Sequence, residues 1–267
     1  MRIPFTKMHG AGNDFLLTWI NEAPRQNLSE AAKGICNRRT GIGADGWILI
    51  SQPPPGEKEY EAAMQLFNSD GSTAEISGNG TRCAAAFLVD VGLAWDTVRI
   101  RTGAGVKALK LLERCGLTFM LEMNMGQPGF PEGETIMLDL SSGPRAVTVV
   151  DVGNPQCVDE VADFDFDWRA MGAEIERHPH FPKRTNVSFI HPVDEHTLEV
   201  RFYERGAGET MSSGTGSTGA AAAALQLGRV KSPVTVATPA GPLKLRSEGE
   251  IYLVGPAQII GGGEFYL

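Results

Sequence analysis

Short runs in which apolar and polar residues alternate set the rhythm of this chain. VRIRT at residues 98–102 and VTVAT at 234–238 have the period of two of a half-buried strand. Further strand-like runs occupy residues 46–50, 117–123, 146–152, 187–190 and 198–203. Two alanine-rich stretches, residues 83–91 and 219–227, break this pattern and favour helix. Gly92 and Gly228 sit where a helix-ending glycine belongs, and Ser77 and Ser213 stand ahead of the helices, where a hydroxyl caps free N–H groups. Turns rich in Gly, Pro, Asn and Asp lie between the runs, and PPPGEKE at residues 53–59 reads as an exposed loop.

These elements occur twice. SGNGTRCAAAFLVDVG (residues 77–92) aligns with SGTGSTGAAAAALQLG (residues 213–228) at an offset of 136 residues. The same offset pairs Val98 with Val234, Thr102 with Thr238, Ala104 with Ala240 and Gly105 with Gly241. A single offset near half the chain length points to two similar lobes, since a solenoid repeats every ~20–50 residues. The expected fold class is α/β (α+β): two pseudo-symmetric lobes, each a mainly antiparallel sheet around a central helix, with the active site in the cleft between them. The N-terminal lobe is placed at residues 1–120 and the C-terminal lobe at 121–260. A tail, 261–267, is expected to return to the first lobe.

Composition narrows the partners. The 267 residues carry 24 basic and 32 acidic side chains, a net charge of −8 without a basic block. Nucleic acid and membrane are therefore excluded as main partners. No apolar run approaches the ~20 residues of a membrane span, and the first residues lack a signal-peptide pattern. Cys36, Cys83, Cys115 and Cys157 form no C-x-x-C pair, so free thiols and a cytoplasmic location are expected, with no metal.

The repeated Gly-rich turn carries the candidate chemistry. A helix N-terminus offers unpaired N–H groups and about half a positive charge, which suits an anion. Two such termini related by a pseudo-twofold could hold one carboxylate and place one residue of each repeat on opposite sides of a bound carbon. That arrangement suits removing a proton from one face and returning it on the other, while the dipoles stabilise the intervening charge. Competing motifs are weak. Gly214, Gly216 and Gly219 spell G-x-G-x-x-G, but residues 220–247 lack the acid a dinucleotide site needs. Neither a P-loop nor a G-x-S-x-G turn is present, and His178 and His180 have no third metal ligand nearby in sequence.

A series of motifs then follows in order: KMHGAGNDF (7–15), RRTGIGADG (38–46), FNSDGSTAEISGNGTRC (67–83), VGNPQ (152–156), RTNVSF (184–189), YERGAGETMSSGTG (203–216) and GPAQIIGGGEF (255–265). Together they resemble the diaminopimelate epimerase family over essentially the whole chain. The resemblance implies two pseudo-symmetric lobes and cofactor-free inversion of an amino-acid α-carbon, in lysine and cell-wall precursor synthesis. It implies a small amino-acid substrate with two carboxylates; assembly as a homodimer stays open. By the same resemblance Asn13, Asn68, Asn154 and Asn186 surround the substrate, and Arg205 holds its distal carboxylate. Gly78, Asn79, Gly214 and Thr215 supply the helix-start contacts, and Glu204 stands beside one catalytic group. A zwitterion with two carboxylates does need an Arg fork and N–H donors.

Three departures fall on the proton-transfer machinery. Ser77 and Ser213 stand where the family has cysteines, and Gln156 where it commonly has histidine. Cys83 falls six residues after Ser77, inside the helix, and does not replace it. An alcohol lies several pKa units above a thiol of about 8.5, and each unit is worth about 1.4 kcal/mol. Serine acts only if a neighbouring base takes its proton. Glu204 could serve Ser213, whereas the Gln156 amide is no base; Asp45, Asp70, Glu75 and Glu209 are other acids within the motifs. Three expectations follow: a weak or altered epimerase using Ser77, Ser213, Glu204 and Gln156; a carboxylate-based isomerase of the same fold; or a binding protein that has lost the chemistry.

Overall fold

The computed structural model describes residues 1–133 and 135–267. The chain divides into two compact units, Met1–Met123 with Gly255–Leu267, and Asn124–Val254. In chain order the first holds β1 (Arg2–Gly10), β2 (Asn13–Trp19), α1 (Leu28–Cys36), β3 (Gly46–Ser51), β4 (Ala62–Asn68), β5 (Thr73–Ala74), α2 (Gly78–Asp90), β6 (Thr97–Thr102), β7 (Gly105–Cys115) and β8 (Thr118–Gly126), whose last residues enter the second. The second holds β9 (Ile136–Leu140), β10 (Gly143–Asp151), β11 (Pro155–Glu160), α3 (Trp168–Glu176), β12 (Asn186–Asp194), β13 (Thr197–Glu204), β14 (Gly208–Thr210), α4 (Gly214–Gln226), β15 (Val234–Thr238) and β16 (Gly241–Ser247). The last strand, β17 (Ile251–Tyr266), begins in the second unit and ends in the first.

Strand pairing repeats along with the sequence. In the first unit β1–β2 is antiparallel, β2–β3 parallel, β3–β4 antiparallel, β4–β6 parallel, and β6–β7–β8 antiparallel. In the second, β10–β11, β11–β12, β12–β13, β13–β15 and β15–β16–β17 follow the same series. In the first unit β17 pairs with β1 and also with β8, so the strands close on themselves. The result is a mixed α+β fold.

Each alanine-rich helix lies within its strands. The whole of α2 from Gly78 to Val89 is buried, against β1, β2, β3 and β6; α4 packs against β10, β11, β12, β13, β15 and β16. Small side chains let strands pass this close. A Cβ on Gly80 would meet Ile48 at 3.1 Å, and one on Gly216 would meet the Phe202 ring at 2.8 Å. The helices start five residues before the alanine runs, at Gly78 and Gly214, because their caps lie there. They stop at a shared device: Gly92 (φ +73) and Gly228 (φ +65) turn left-handed. Leu93 N–H then reaches the Leu88 carbonyl at 2.9 Å, and Arg229 N–H the Ala224 carbonyl at 2.8 Å.

Residues 53–59 carry no helix or strand and are mostly exposed. The chain re-enters the first unit at Gly255, ahead of the expected tail at 261–267, because β17 runs sixteen residues without a break. No helix among the described residues is long and apolar enough to cross a membrane.

Candidate active site

At the start of α2, Ser77 has an extended backbone (φ −133, ψ 121), and its Oγ accepts the Gly80 N–H at 3.1 Å. The Ser77 carbonyl takes the Thr81 N–H at 2.7 Å. The N–H groups of Gly78 and Asn79 are the ones a helix leaves without an internal acceptor. Asn13, at the start of β2, donates through Nδ2 to Asp45 Oδ2 at 2.6 Å, and its Oδ1 faces Asn79 Nδ2 at 3.4 Å. Gly10 is what lets β1 pass here: a Cβ would come within 3.1 Å of the Asn79 carbonyl oxygen. Thus Asn13, Asn79 and the Ser77 cap lie together. Asn68 is engaged differently. It ends β4 and donates from Nδ2 to Ser72 Oγ at 2.9 Å, holding the turn that leads to β5.

Behind Asn13 lies a charged cluster. Arg38 binds Asp14 at 2.6 Å and Asp45 at 2.8 Å, and Lys7 reaches Asp14 at 3.1 Å. Burial works against ionisation of Asp14, but Arg38 and Lys7 together outweigh it and hold the carboxyl below its ordinary range.

The second unit repeats the cap. Ser213 (φ −134, ψ 123) is buried and accepts the Gly216 N–H at 3.0 Å. The residues around it form one connected set. Gln156 is wholly buried and donates from Nε2 to Asn154 Oδ1 at 2.8 Å, while Asn154 Nδ2 faces Thr215 Oγ1 at 3.4 Å. Gln156 Oε1 is buried without a partner. Only glycine fits opposite this amide, since a Cβ on Gly219 would lie 2.8 Å from the Gln156 side chain. Asn186 donates to the Pro155 carbonyl at 3.0 Å and accepts the Arg205 N–H at 3.0 Å. The Arg205 side chain is exposed, with Nη1 3.3 Å from the Lys183 carbonyl.

Glu204 ends β13, beside the Ser213 and Thr210 hydroxyls. Burial pushes its carboxyl above the ordinary 4.5, partly offset by the Ser213 and Thr210 hydroxyls beside it. The repeat is unequal here. At the offset of 136 residues Glu204 falls on Asn68, so the hydroxyl of the second unit has a carboxyl neighbour and that of the first has an amide at the matching position.

Cys83 is fully buried, and desolvation pushes its thiol up to about 12, which removes it as a base. His180 lies 2.8 Å from Glu132, and His178 3.2 Å from the Asp139 carbonyl. Among the described residues no group of three His, Cys, Asp or Glu side chains is placed to hold a metal ion. Two residues of this geometry were not singled out for these roles by the sequence: Asp45 and Thr210. Asp45 was one of several unplaced acids.

The profile of the family described as "Diaminopimelate epimerase" matches residues 5–130 and 148–260. The chain belongs to the diaminopimelate epimerase family. A diaminopimelate epimerase of Halothermothrix orenii is 34% identical over 100% of this chain and 99% of its own length. Diaminopimelate epimerase 1 of a Nostoc species is 39% identical over 99% of this chain and 100% of its own. Among solved structures, a hydroxyproline epimerase from Agrobacterium vitis shares the fold with a TM-score of 0.72 at 16% identity, covering 98% of this chain and 92% of that one. A PhzF-family phenazine biosynthesis protein from Bacillus anthracis also has a TM-score of 0.72, at 13% identity over the full length of both chains. Membership of the diaminopimelate epimerase family rests on the sequence matches; the two structures speak for the two-lobe fold.

Proposed function

We propose that this diaminopimelate epimerase family member is a cofactor-independent amino-acid epimerase. Its substrate carries two carboxylates, with diaminopimelate the default, and its chemistry is slowed by alcohols in place of thiols. The observation that carries the reading is the set around Ser213: a capping hydroxyl beside the desolvated Glu204 carboxyl, next to amides and the α4 start.

In this reading the helix-start N–H groups of Gly78, Asn79, Gly214 and Thr215 bind the carboxylate beside the reacting carbon and stabilise the charge that develops as its proton leaves. Arg205, whose guanidinium is exposed, takes the distal carboxylate, and Asn13, Asn68, Asn154 and Asn186 orient the zwitterion. On one face Ser213 Oγ removes the α-proton as its own proton passes to Glu204. On the other, the Ser77 hydroxyl gives its proton to the carbanion; solvent water then reprotonates Ser77 and takes up the proton left on Glu204, which restores the starting charges. Gln156 holds Asn154 and carries no proton itself.

Incubation of LL- and meso-diaminopimelate with the protein in D2O, followed by proton NMR and chiral chromatography, tests the proposal. Deuterium entry at the α-position with slow interconversion is expected; no exchange above background at high protein concentration overturns it. A second reading, binding without turnover, is favoured by Ser77, whose hydroxyl meets the Gly80 N–H and has no carboxylate at the position matching Glu204. Calorimetric binding with no exchange would select it.

A further inference from the structure

Arg82 lies in the second turn of α2 and is wholly buried. Its Nη2 donates to Asn79 Oδ1 in a short hydrogen bond, its Nε donates to the Pro256 carbonyl at 3.3 Å, and its Nη1 has no partner. Among the described residues no carboxylate pairs with it. Desolvation lowers its pKa to about 10, so it stays charged at neutral pH. A buried cation without an anion is costly and calls for a reason.

Its neighbours supply one. Arginine offers only donors and a carboxylate only acceptors. With Arg82 at one end and Asp45 at the other, the two asparagines between them have a single consistent orientation. Asn79 Oδ1 turns to Arg82, Asn79 Nδ2 to Asn13 Oδ1, and Asn13 Nδ2 to Asp45 Oδ2. Arg38 holds Asp45 at 2.8 Å, which anchors the far end. The remaining amide hydrogens and the Gly78 and Asn79 N–H groups are all donors, as a carboxylate requires.

We propose that Arg82 is a positioning residue of the carboxylate site at the start of α2: it locks the Asn79 amide in its donor orientation and supplies the positive charge that a bound carboxylate neutralises. This rests on the reading above that a substrate carboxylate binds there. The matching position in α4 is Thr218, whose hydroxyl bonds the Gly214 carbonyl at 2.7 Å. The two helix starts are therefore unequal: a full charge backs one, a dipole alone the other.

Binding of pimelate and of meso-diaminopimelate is measured calorimetrically for the full-length protein and for R82M, R82K and N79D, with Tm recorded for each. R82M is expected to weaken pimelate binding by about tenfold or more with Tm unchanged or raised, because it removes an unpaired buried charge. R82K, which keeps a hydrogen-bond donor toward the Asn79 amide oxygen, is expected to lose less than R82M. N79D places a carboxylate beside Arg82; it is expected to raise Tm and abolish binding, and it carries the test if the Arg82 variants do not fold. Equal losses in R82M and R82K, losses that track a fall in Tm, or undiminished binding by N79D overturn the proposal. Pimelate binding without diaminopimelate binding overturns the substrate reading and leaves Arg82's role standing. Binding of neither ligand by the parent overturns both.

Discussion

A hydroxyl on a helix cap and a thiol in the same place differ chiefly in how readily they release a proton. Ser77 and Ser213 each cap a helix well, with N–H contacts of 3.1 and 3.0 Å, so their stabilising role is intact whatever their chemistry. Several pKa units separate the two groups at about 1.4 kcal/mol each. Ser213→Cys combined with Ser77→Cys is therefore expected to raise α-deuterium exchange of diaminopimelate by about 100-fold or more, read by NMR. Glu204→Gln removes the carboxyl beside Ser213 and is expected to cut exchange by about 100-fold. It also has a signature in stability. Burial raises the Glu204 pKa above 4.5, so the folded state binds this proton more tightly than the unfolded state does. The native protein thus loses stability as pH rises from that ordinary value through the raised one. E204Q lacks this loss, and its Tm relative to the parent should rise as pH increases above 4.5. The candidate site residues could be named from motifs, but their contacts could not. The Asn13–Asp45 and Asn186–Arg205 bonds join residues 32 and 19 positions apart through strand pairing, which one-dimensional spacing does not carry.

The two buried helices were visible at the level of elements through their alanines and terminal glycines. Their starts were marked by the capping serines, although glycine disfavours helix by about 1 kcal/mol and SGNG alone reads as a turn. Tertiary packing reverses that preference: Gly80 and Gly216 are required where Ile48 and Phe202 press against the helix. β17 was hidden, since its GGG stretch looks like loop until β1 pairs with it. The helix ends give a clean test. Gly92 and Gly228 have positive φ and open space around the Cβ position, so Gly92→Ala and Gly228→Ala face backbone strain without a clash. Each should cost about 1 kcal/mol in urea unfolding, with the slope unchanged. A loss several times larger would mean these glycines do more than end helices.

For the whole molecule, the internal repeat was legible as a constant offset, and so was the existence of two units. The continuity of β17 was not, although it decides which residues complete the first unit. Deleting Gly261–Leu267 removes the partners of β1 from Arg2 to Lys7. Amide hydrogen exchange should then rise in β1 and β2 and stay near the parent's in β12 and β13. Uniform loss of protection would show that the units do not respond separately.

The last residue also meets the first. The Met1 ammonium donates to the Leu267 carbonyl at 2.7 Å, and the Leu267 N–H to the Met1 carbonyl at 2.9 Å. The position of the ends is thus open to change in the first unit: a few glycines could splice Leu267 to Met1, and new ends could be cut in the exposed loop at residues 53–59. Such a circular permutant would leave both capping serines and their helices uncut and should keep the parent's spectrum and ligand affinity.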